Sequence, residues 1–368
     1  MENKILFVGG NWDHNGGRGS KIVSLFASEL KDVKLYNGGN YNELNDIIKS
    51  VINYDIVIWW ANVDNNLEKI RNVKDINYKT MLVTSKRNID NKYSFQDLLQ
   101  RSLDLKANLT VEFSKKNNLY YMRLFDPLGN VWYKGTDIKE CSIYLLDRLN
   151  FIKNITRRST IQDNSTNLPN QIIKEEQFLN IVREYANKFS QVSFDKINVK
   201  RFLGNASFRC LKGFPSFKKD KYIYVSKRNV NKEFISINDF VLVYLDDDKV
   251  YYCGDNKPSV DTQVQVNLYK NLSNINYMIH SHCYINNAPF TEVALPCGSL
   301  EEVDEILKTI KKYYNNDLNR DFYLINLLGH GSIMMSSDVS KLTNIDIVGR
   351  NIPEEFYPKK LIKKKVLI

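Results

Sequence analysis

Lys4-Ile5-Leu6-Phe7-Val8-Gly9-Gly10-Asn11-Trp12-Asp13-His14-Asn15-Gly16-Gly17-Arg18-Gly19-Ser20 is a short apolar run that closes on glycine and continues into a polar, glycine-rich loop. Beyond it, Ile22, Val23, Leu25, Phe26 and Leu30 recur at the spacing of one helix face. The alternation repeats. Val33-Lys34-Leu35-Tyr36 precedes a second stripe at Leu44, Ile47, Ile48, Val51 and Ile52, and the runs Asp55–Trp60 and Thr80–Val83 are each followed by a helical pattern. Parallel strands need a crossover, and a helix supplies it, so four strand–helix units in succession predict an α/β fold with a doubly wound, mostly parallel sheet. Residues 109–133 read instead as strands about a turn at Asp126-Pro127-Leu128-Gly129-Asn130, and a last helix ends near Ile152.

The loop after the first strand is neither G-x-G-x-x-G nor a Walker sequence, and Asn37-Gly38-Gly39 after the second strand lacks the acidic residue that would hold a ribose, which argues against NAD. Lying between a strand end and a helix start, Gly10, Asn11, Gly17, Arg18, Gly19 and Ser20 suit a flavodoxin-like arrangement whose amides and guanidinium meet a phosphate-bearing ligand. Trp59-Trp60-Ala61-Asn62 and Ser85-Lys86-Arg87-Asn88 end the third and fourth strands on the same rim, where aromatic and basic groups would suit a ring and a phosphate. His14 reads as a polar loop residue.

A chain of 368 residues, 43% hydrophobic and 26% charged, is long enough for two domains, each with its own core, and excludes a disordered or fibrous protein. No apolar run approaches the ~20 residues of a membrane helix, and residues 1–10 lack the features of a signal peptide, so a cytoplasmic protein with no membrane partner is expected. Cys141, Cys210, Cys253, Cys283 and Cys297 form no CxxC pair and are odd in number, which fits reduced thiols. Of the net charge of +10, five units come from Lys359, Lys360, Lys363, Lys364 and Lys365, so nucleic acid is not the expected partner. The domains are expected at 1–153 and 171–368, joined by the polar linker 154–170, NITRRSTIQDNSTNLPN. After the linker the sequence predicts a helix from Ile172 to Phe189 and strands at 206–210, 221–226, 239–245, 249–253, 276–282 and 322–328. Helices from Thr262 and Leu300 are interspersed, the second opened by a capping box, Ser299-Leu300-Glu301-Glu302. The mixture is α+β.

Three of the four histidines fall in this second half at predicted strand ends. In Ile279-His280-Ser281-His282 the i, i+2 spacing sends both rings to one face, and His330 in Leu328-Gly329-His330-Gly331 sits in a glycine-flanked turn that can bring a third imidazole. Three histidines with one open position make a catalytic zinc geometry. Cys283 points to the other face and reads as packing.

Gly204-Asn205-Ala206-Ser207-Phe208-Arg209, Lys257-Pro258-Ser259-Val260-Asp261-Thr262, His280-Ser281-His282 and the later His330-Gly331 resemble the class II aldolase/adducin family in order and spacing, over about residues 171–350. Asp261 and the run KPSVDTQVQVNLYKNL look most like the L-ribulose-5-phosphate 4-epimerase branch. The resemblance implies a zinc enzyme that makes or breaks a C–C bond in a phosphorylated or nucleotide-linked sugar, by aldol, epimerase or dehydratase chemistry, in a homotetramer; an adducin-like binding module is the non-enzymatic alternative. It implies zinc on His280, His282 and His330, with Asp261 as fourth ligand or acid/base, and a phosphate pocket containing Asn205, Ser226, Asn229 and Ser259. This chain departs from the family pattern at Val260, Lys227 and Arg228, and there the two basic residues would hold a phosphate. Asn229 replaces a glycine, which asparagine can do at positive φ. The stretch between His282 and His330 is short for the family and does not place its catalytic tyrosine, for which Tyr357, in the tail, is a candidate.

Overall fold

The computed structural model describes residues 4–63, 73, 76–116, 119–155, 160–164, 175–192, 204–209 and 222–349, which divide after Asn154 into two compact units. In the first unit, β1 (Ile5–Asp13), α1 (Lys21–Ser28), β2 (Val33–Asn40), α2 (Tyr41–Ser50), β3 (Ile56–Val63), β4 (Thr80–Arg87), α3 (Phe95–Asp104), β5 (Leu109–Lys116), β6 (Leu119–Phe125), β7 (Val131–Gly135) and α4 (Ile138–Ile155) follow in chain order. The seven strands form one sheet in the order β2-β1-β3-β4-β5-β6-β7. The first five pair in parallel and the last two are antiparallel, so the doubly wound, flavodoxin-like order 2-1-3-4-5 carries a hairpin at one edge. Leu6, Val8 and Trp59 pack with Leu44 and Ile47 of α2 on one face, whereas Trp60 stacks on Phe7 and meets Phe26 of α1 edge-on.

This packing corrects one expectation. Trp59 and Trp60, 2% and 6% exposed, lie in the two halves of the core and not on a ligand-facing rim, because a parallel strand covered on both faces buries every residue in turn.

The second unit contains β8 (Ile161–Asp163), α5 (Glu176–Val192), β9 (Asn205–Arg209), β10 (Tyr222–Ser226), β11 (Phe240–Asp246), β12 (Lys249–Cys253), α6 (Thr262–Asn271), β13 (Tyr277–Ser281), β14 (Tyr284–Ile285), α7 (Glu301–Tyr313), β15 (Phe322–Leu327), β16 (Gly331–Ser336) and β17 (Ile347–Val348). Eight strands form a sheet in the order β15-β16-β13-β9-β10-β11-β12-β8, antiparallel except for β12 with β8; β14 and β17 pair separately. Phe178 and Tyr185 of α5 pack with Phe208 and Met334 on one face. Val264 and Leu268 of α6 and Ile306 and Ile310 of α7 cover Val243, Ile325 and Met335 on the other.

Four strands of this unit went unseen in the sequence, the two-residue pair β14 and β17 and the longer β8 and β16. β8 lies inside the stretch read as linker, and Tyr244 donates to Asp163 at 2.7 Å to hold that edge; three residues are too few to show a period. All six residues of β16 are buried, so its sequence, Gly331-Ser332-Ile333-Met334-Met335-Ser336, has no polar face to alternate. β16 lies between β15 and β13 and so carries the His330 turn to the end of the histidine strand.

Candidate metal centre

His280 lies on β13, whose five residues are all buried, opposite Ile333 of β16 and Asn205 of β9. His282 follows the strand end. His330 sits in the turn between β15 and β16, where its amide donates to the Leu327 carbonyl at 2.9 Å. The turn is held in place by Gly329 N–H donating to the Tyr284 hydroxyl at 3.1 Å and Leu328 N–H to Thr291 Oγ1 at 2.8 Å. Gly331, at φ +144°, is required: a Cβ there would lie 1.9 Å from the Ser281 carbonyl oxygen. The ring centroids of the three histidines stand 4.6, 5.0 and 5.2 Å apart, and one nitrogen from each lies within 4.8 Å of the others.

The hydrogen bonds fix the tautomers. His280 Nδ1 lies 2.9 Å from the Ser332 carbonyl, which can only accept, so Nδ1 carries the proton and Nε2 keeps its lone pair. His330 Nδ1 likewise faces Glu302 Oε1 at 2.7 Å, a carboxylate on α7 that is itself buried. His280 Nε2, His330 Nε2 and Asp261 Oδ1 are buried with no hydrogen-bond partner. Such orphans cost free energy unless something meets them, and a divalent cation suits all three. Burial, with His330 adding to it, pushes the His280 pKa down to about 4, which keeps this imidazole neutral. Burial opposes the His330 cation, yet Cys297 and Glu302 outweigh it and hold that pKa well above the usual histidine value. Burial raises the Glu302 carboxyl in turn.

Asp261 is the N-cap of α6 but makes no capping hydrogen bond. An N-cap aspartate ordinarily accepts from its own helix; here Oδ2 accepts from Asn205 Nδ2 at 2.9 Å and stands 3.9 Å from His280 Nε2. Gln265 Nε2 donates to Asn205 Oδ1, so both ends of the Asn205 amide are used in aiming the carboxylate. Asn205, expected in the phosphate pocket, thus also orients Asp261.

Ser226, Lys227, Arg228, Asn229 and Ser259 lie on two adjoining loops. Ser259 N–H donates to Ser226 O at 3.1 Å, Arg228 N–H to Lys257 O at 3.0 Å, and Lys227 bridges to Pro258. Ser226 is fully buried and its hydroxyl accepts from Ala206 N at 3.2 Å, so it is a strut between β9 and β10. Lys227 is half-buried, Arg228 and Asn229 are exposed, and Asn229 takes φ +62°, the glycine-like conformation expected of it. The basic side chains and Ser259 thus border the loop that delivers Asp261.

Three residues of the centre escaped the sequence reading. Glu302 was expected to cap its helix, but the helix starts from Leu300 without a side-chain cap, Ser299 Oγ donates to Glu301, and Glu302 turns inward to His330. Cys297 offers its sulfur within 4.8 Å of Asp261 and His330. Lys232, 8% exposed, acts electrostatically on His280, and burial pulls its pKa down to about 8 against the pull of Asp261. A proline before Cys297 and charged neighbours of Lys232 and Glu302 gave no local signal, since each reaches the centre through tertiary contacts. Cys283 is buried, its sulfur 4.0 Å from the Phe189 carbonyl, in keeping with packing. Tyr357 and the basic tail lie outside the described residues.

In the first unit, β1 runs on to Asp13, so the loop is shorter than expected. Asn11 N–H donates to Arg18 O at 2.9 Å, Gly17 N–H to Gly39 O at 2.9 Å and Ser20 N–H to Asn37 Oδ1 at 2.8 Å. Those amides, expected to face a phosphate, are engaged within the chain. A Cβ at buried Gly10 would lie 2.6 Å from Gly38 N, and one at Gly19 2.8 Å from Asn37 O, so the neighbouring strand accounts for these glycines. Ser20 caps α1 through Val23 N–H, and Arg18 stays exposed.

Residues 189–340 match the family model described as Class II Aldolase and Adducin N-terminal domain. This part of the chain is similar to the class II aldolase/adducin family. Among solved structures, an L-fuculose 1-phosphate aldolase is similar at 14% identity, with 47% of this chain and 81% of that one covered and a TM-score of 0.31. YgbL from Klebsiella pneumoniae is similar at 13% identity, with 47% and 84% covered and a TM-score of 0.30. A DNA/pantothenate metabolism flavoprotein from Streptococcus pneumoniae is similar at 12% identity, with 40% and 98% covered and a TM-score of 0.30. No curated protein matches the chain. Among the described residues no helix is long and apolar enough to cross a membrane.

Proposed function

We propose that the class II aldolase-like unit is a zinc-dependent lyase that makes or breaks a C–C bond in a phosphorylated or nucleotide-linked sugar. The observation that carries this reading is the convergence of His280, His282 and His330 on one buried point beside a carboxylate, with His280 Nε2, His330 Nε2 and Asp261 Oδ1 unsatisfied. Imidazole donors bring no negative charge, so they would hold the cation without cancelling its charge, as a Lewis acid requires; His330, whose pKa is raised, would give up its proton on binding. When bound, the cation supplies several kcal/mol of stabilisation to negative charge on the oxygens beside the cleaved bond. Asp261, anchored through Oδ2, leaves Oδ1 to take a proton from the substrate and return it. Lys227 and Arg228, on the rim beside Ser259, bind the anionic group and orient the chain of the sugar. Epimerisation through retro-aldol cleavage draws on the same groups, and aspartate at 261 favours that branch. An adducin-like scaffold has no use for three buried imidazoles. The reading carries with it the homotetramer that the resemblance implies.

Neutralising the rim with Lys227→Ala and Arg228→Ala together is expected to raise KM for a phosphorylated sugar by about tenfold or more while kcat and metal content hold, since this contact is remote from the reacting carbons. Unchanged kinetics would leave the turn merely solvated. Glu302→Gln is expected to weaken zinc binding by about 10–100-fold, because the buried carboxylate that orients His330 and raises its basicity is lost. A competition titration with a chelating dye measures it, and an affinity equal to wild type would reduce Glu302 to a packing role.

A further inference from the structure

The loop carrying Cys297 is clamped against the start of α6. Gln263 Nε2 donates to the Gly298 carbonyl, and Gly298, at φ +74°, presses so closely that a Cβ would meet Val260 Cγ1 at 2.8 Å and Val260 O at 2.9 Å. Cys297 is thereby fixed one residue from that contact, and its sulfur, an Asp261 oxygen and a His330 nitrogen lie within 4.8 Å of one another. This group shares His330 with the histidine triad. Two orphaned atoms point to a ligand here: His330 Nε2 and Asp261 Oδ1 belong to residues 0% and 7% exposed, and neither atom has a hydrogen-bond partner. Cys141, Cys253 and Cys283 are buried, whereas Cys297 is half-buried.

We propose that Cys297 is a fourth metal donor, its thiolate closing the histidine centre while no substrate is bound and giving way to substrate oxygens. The proposal rests on the zinc reading above. Zinc is commonly four-coordinate with nitrogen and sulfur donors, and a centre closed by sulfur is a resting centre, because a catalytic one keeps a position open. On binding, the thiol releases its proton to solvent; on displacement by an oxygen donor the sulfur takes a proton back, so charge and atoms balance. The negative sulfur would also lower the Lewis acidity of the cation until a substrate arrives.

The full chain loaded with Co2+ in place of zinc tests this. A thiolate-to-cobalt charge-transfer band in the near ultraviolet is expected in the wild type and absent from Cys297→Ser and Cys297→Ala, each of which should still hold about one cobalt per chain on its histidines. Acetohydroxamate, a bidentate oxygen chelator, is expected to bleach the wild-type band without removing the metal. On the unmutated protein, Zn2+ is expected to slow alkylation of Cys297 by iodoacetamide at least tenfold, read by peptide mass spectrometry. Cobalt bound without a thiolate band, a band that survives both substitutions, a band that acetohydroxamate leaves intact, or alkylation indifferent to zinc would each overturn the Cys297 assignment and leave the histidine centre standing. Failure of the wild type to bind cobalt or zinc at all would overturn the zinc reading itself, and this assignment with it.

Discussion

Replacing His280 or His282 with alanine is expected to take the purified protein from about one bound zinc per chain to essentially none. Only two imidazoles then remain, and even with Cys297 beside them they leave the site one protein donor short, so water must fill the place and the cation is held weakly. Elemental analysis of protein purified without chelators, with circular dichroism to verify the fold, is the measurement. The intact protein should also be stabilised by its metal, by about 2.7 kcal/mol when free zinc stands at a hundred times its dissociation constant, so a chelator should lower Tm reversibly. Native protein that holds no divalent ion and takes none up on titration would end the lyase reading, whatever the sequence resembles.

The second large effect is expected from Asp261→Asn. The amide oxygen can still accept from Asn205 Nδ2, so the hydrogen bond at 2.9 Å and the start of α6 should persist. What is lost is a carboxylate able to carry a proton, and proton transfer by a placed side chain contributes about 10²–10⁴-fold. Exchange of the hydrogens next to the carbonyl of a small ketose phosphate with solvent deuterium, followed by NMR, isolates that step without knowledge of the full substrate. Turnover should fall by two orders of magnitude or more with metal content nearly unchanged. Exchange at the wild-type rate would make Asp261 a structural cap.

The parts of this molecule that show in the sequence are those written in local periodicity or short spacing. The units β1–α1, β2–α2 and β4–α3 are visible because each amphipathic helix repeats at its own pitch, the helix expected after β3 lying mostly outside the described residues, and His280 and His282 share a face because a strand alternates every two residues. Asn229 was readable as a glycine substitute because its φ is set by its own turn. Trp59 and Trp60 misled for the opposite reason: aromatic residues near a strand end look alike on a rim and in a core covered from both sides.

The sequence alone determined the two fold classes, most of their elements and the three histidines that converge. Tertiary structure decided what those histidines meet. Glu302 lies 28 residues before His330 and Asn205 lies 56 before Asp261, and no pattern within either segment declares the contact. The neighbouring strand engages the Gly17 and Ser20 amides of the loop between β1 and α1, and Cys297 was one reduced thiol among five until Gly298 let its loop close on Val260. Periodicity is local and survives in one dimension; the partner of a buried polar atom is chosen by which strands and turns happen to pack together, and that is fixed only when the sheet forms.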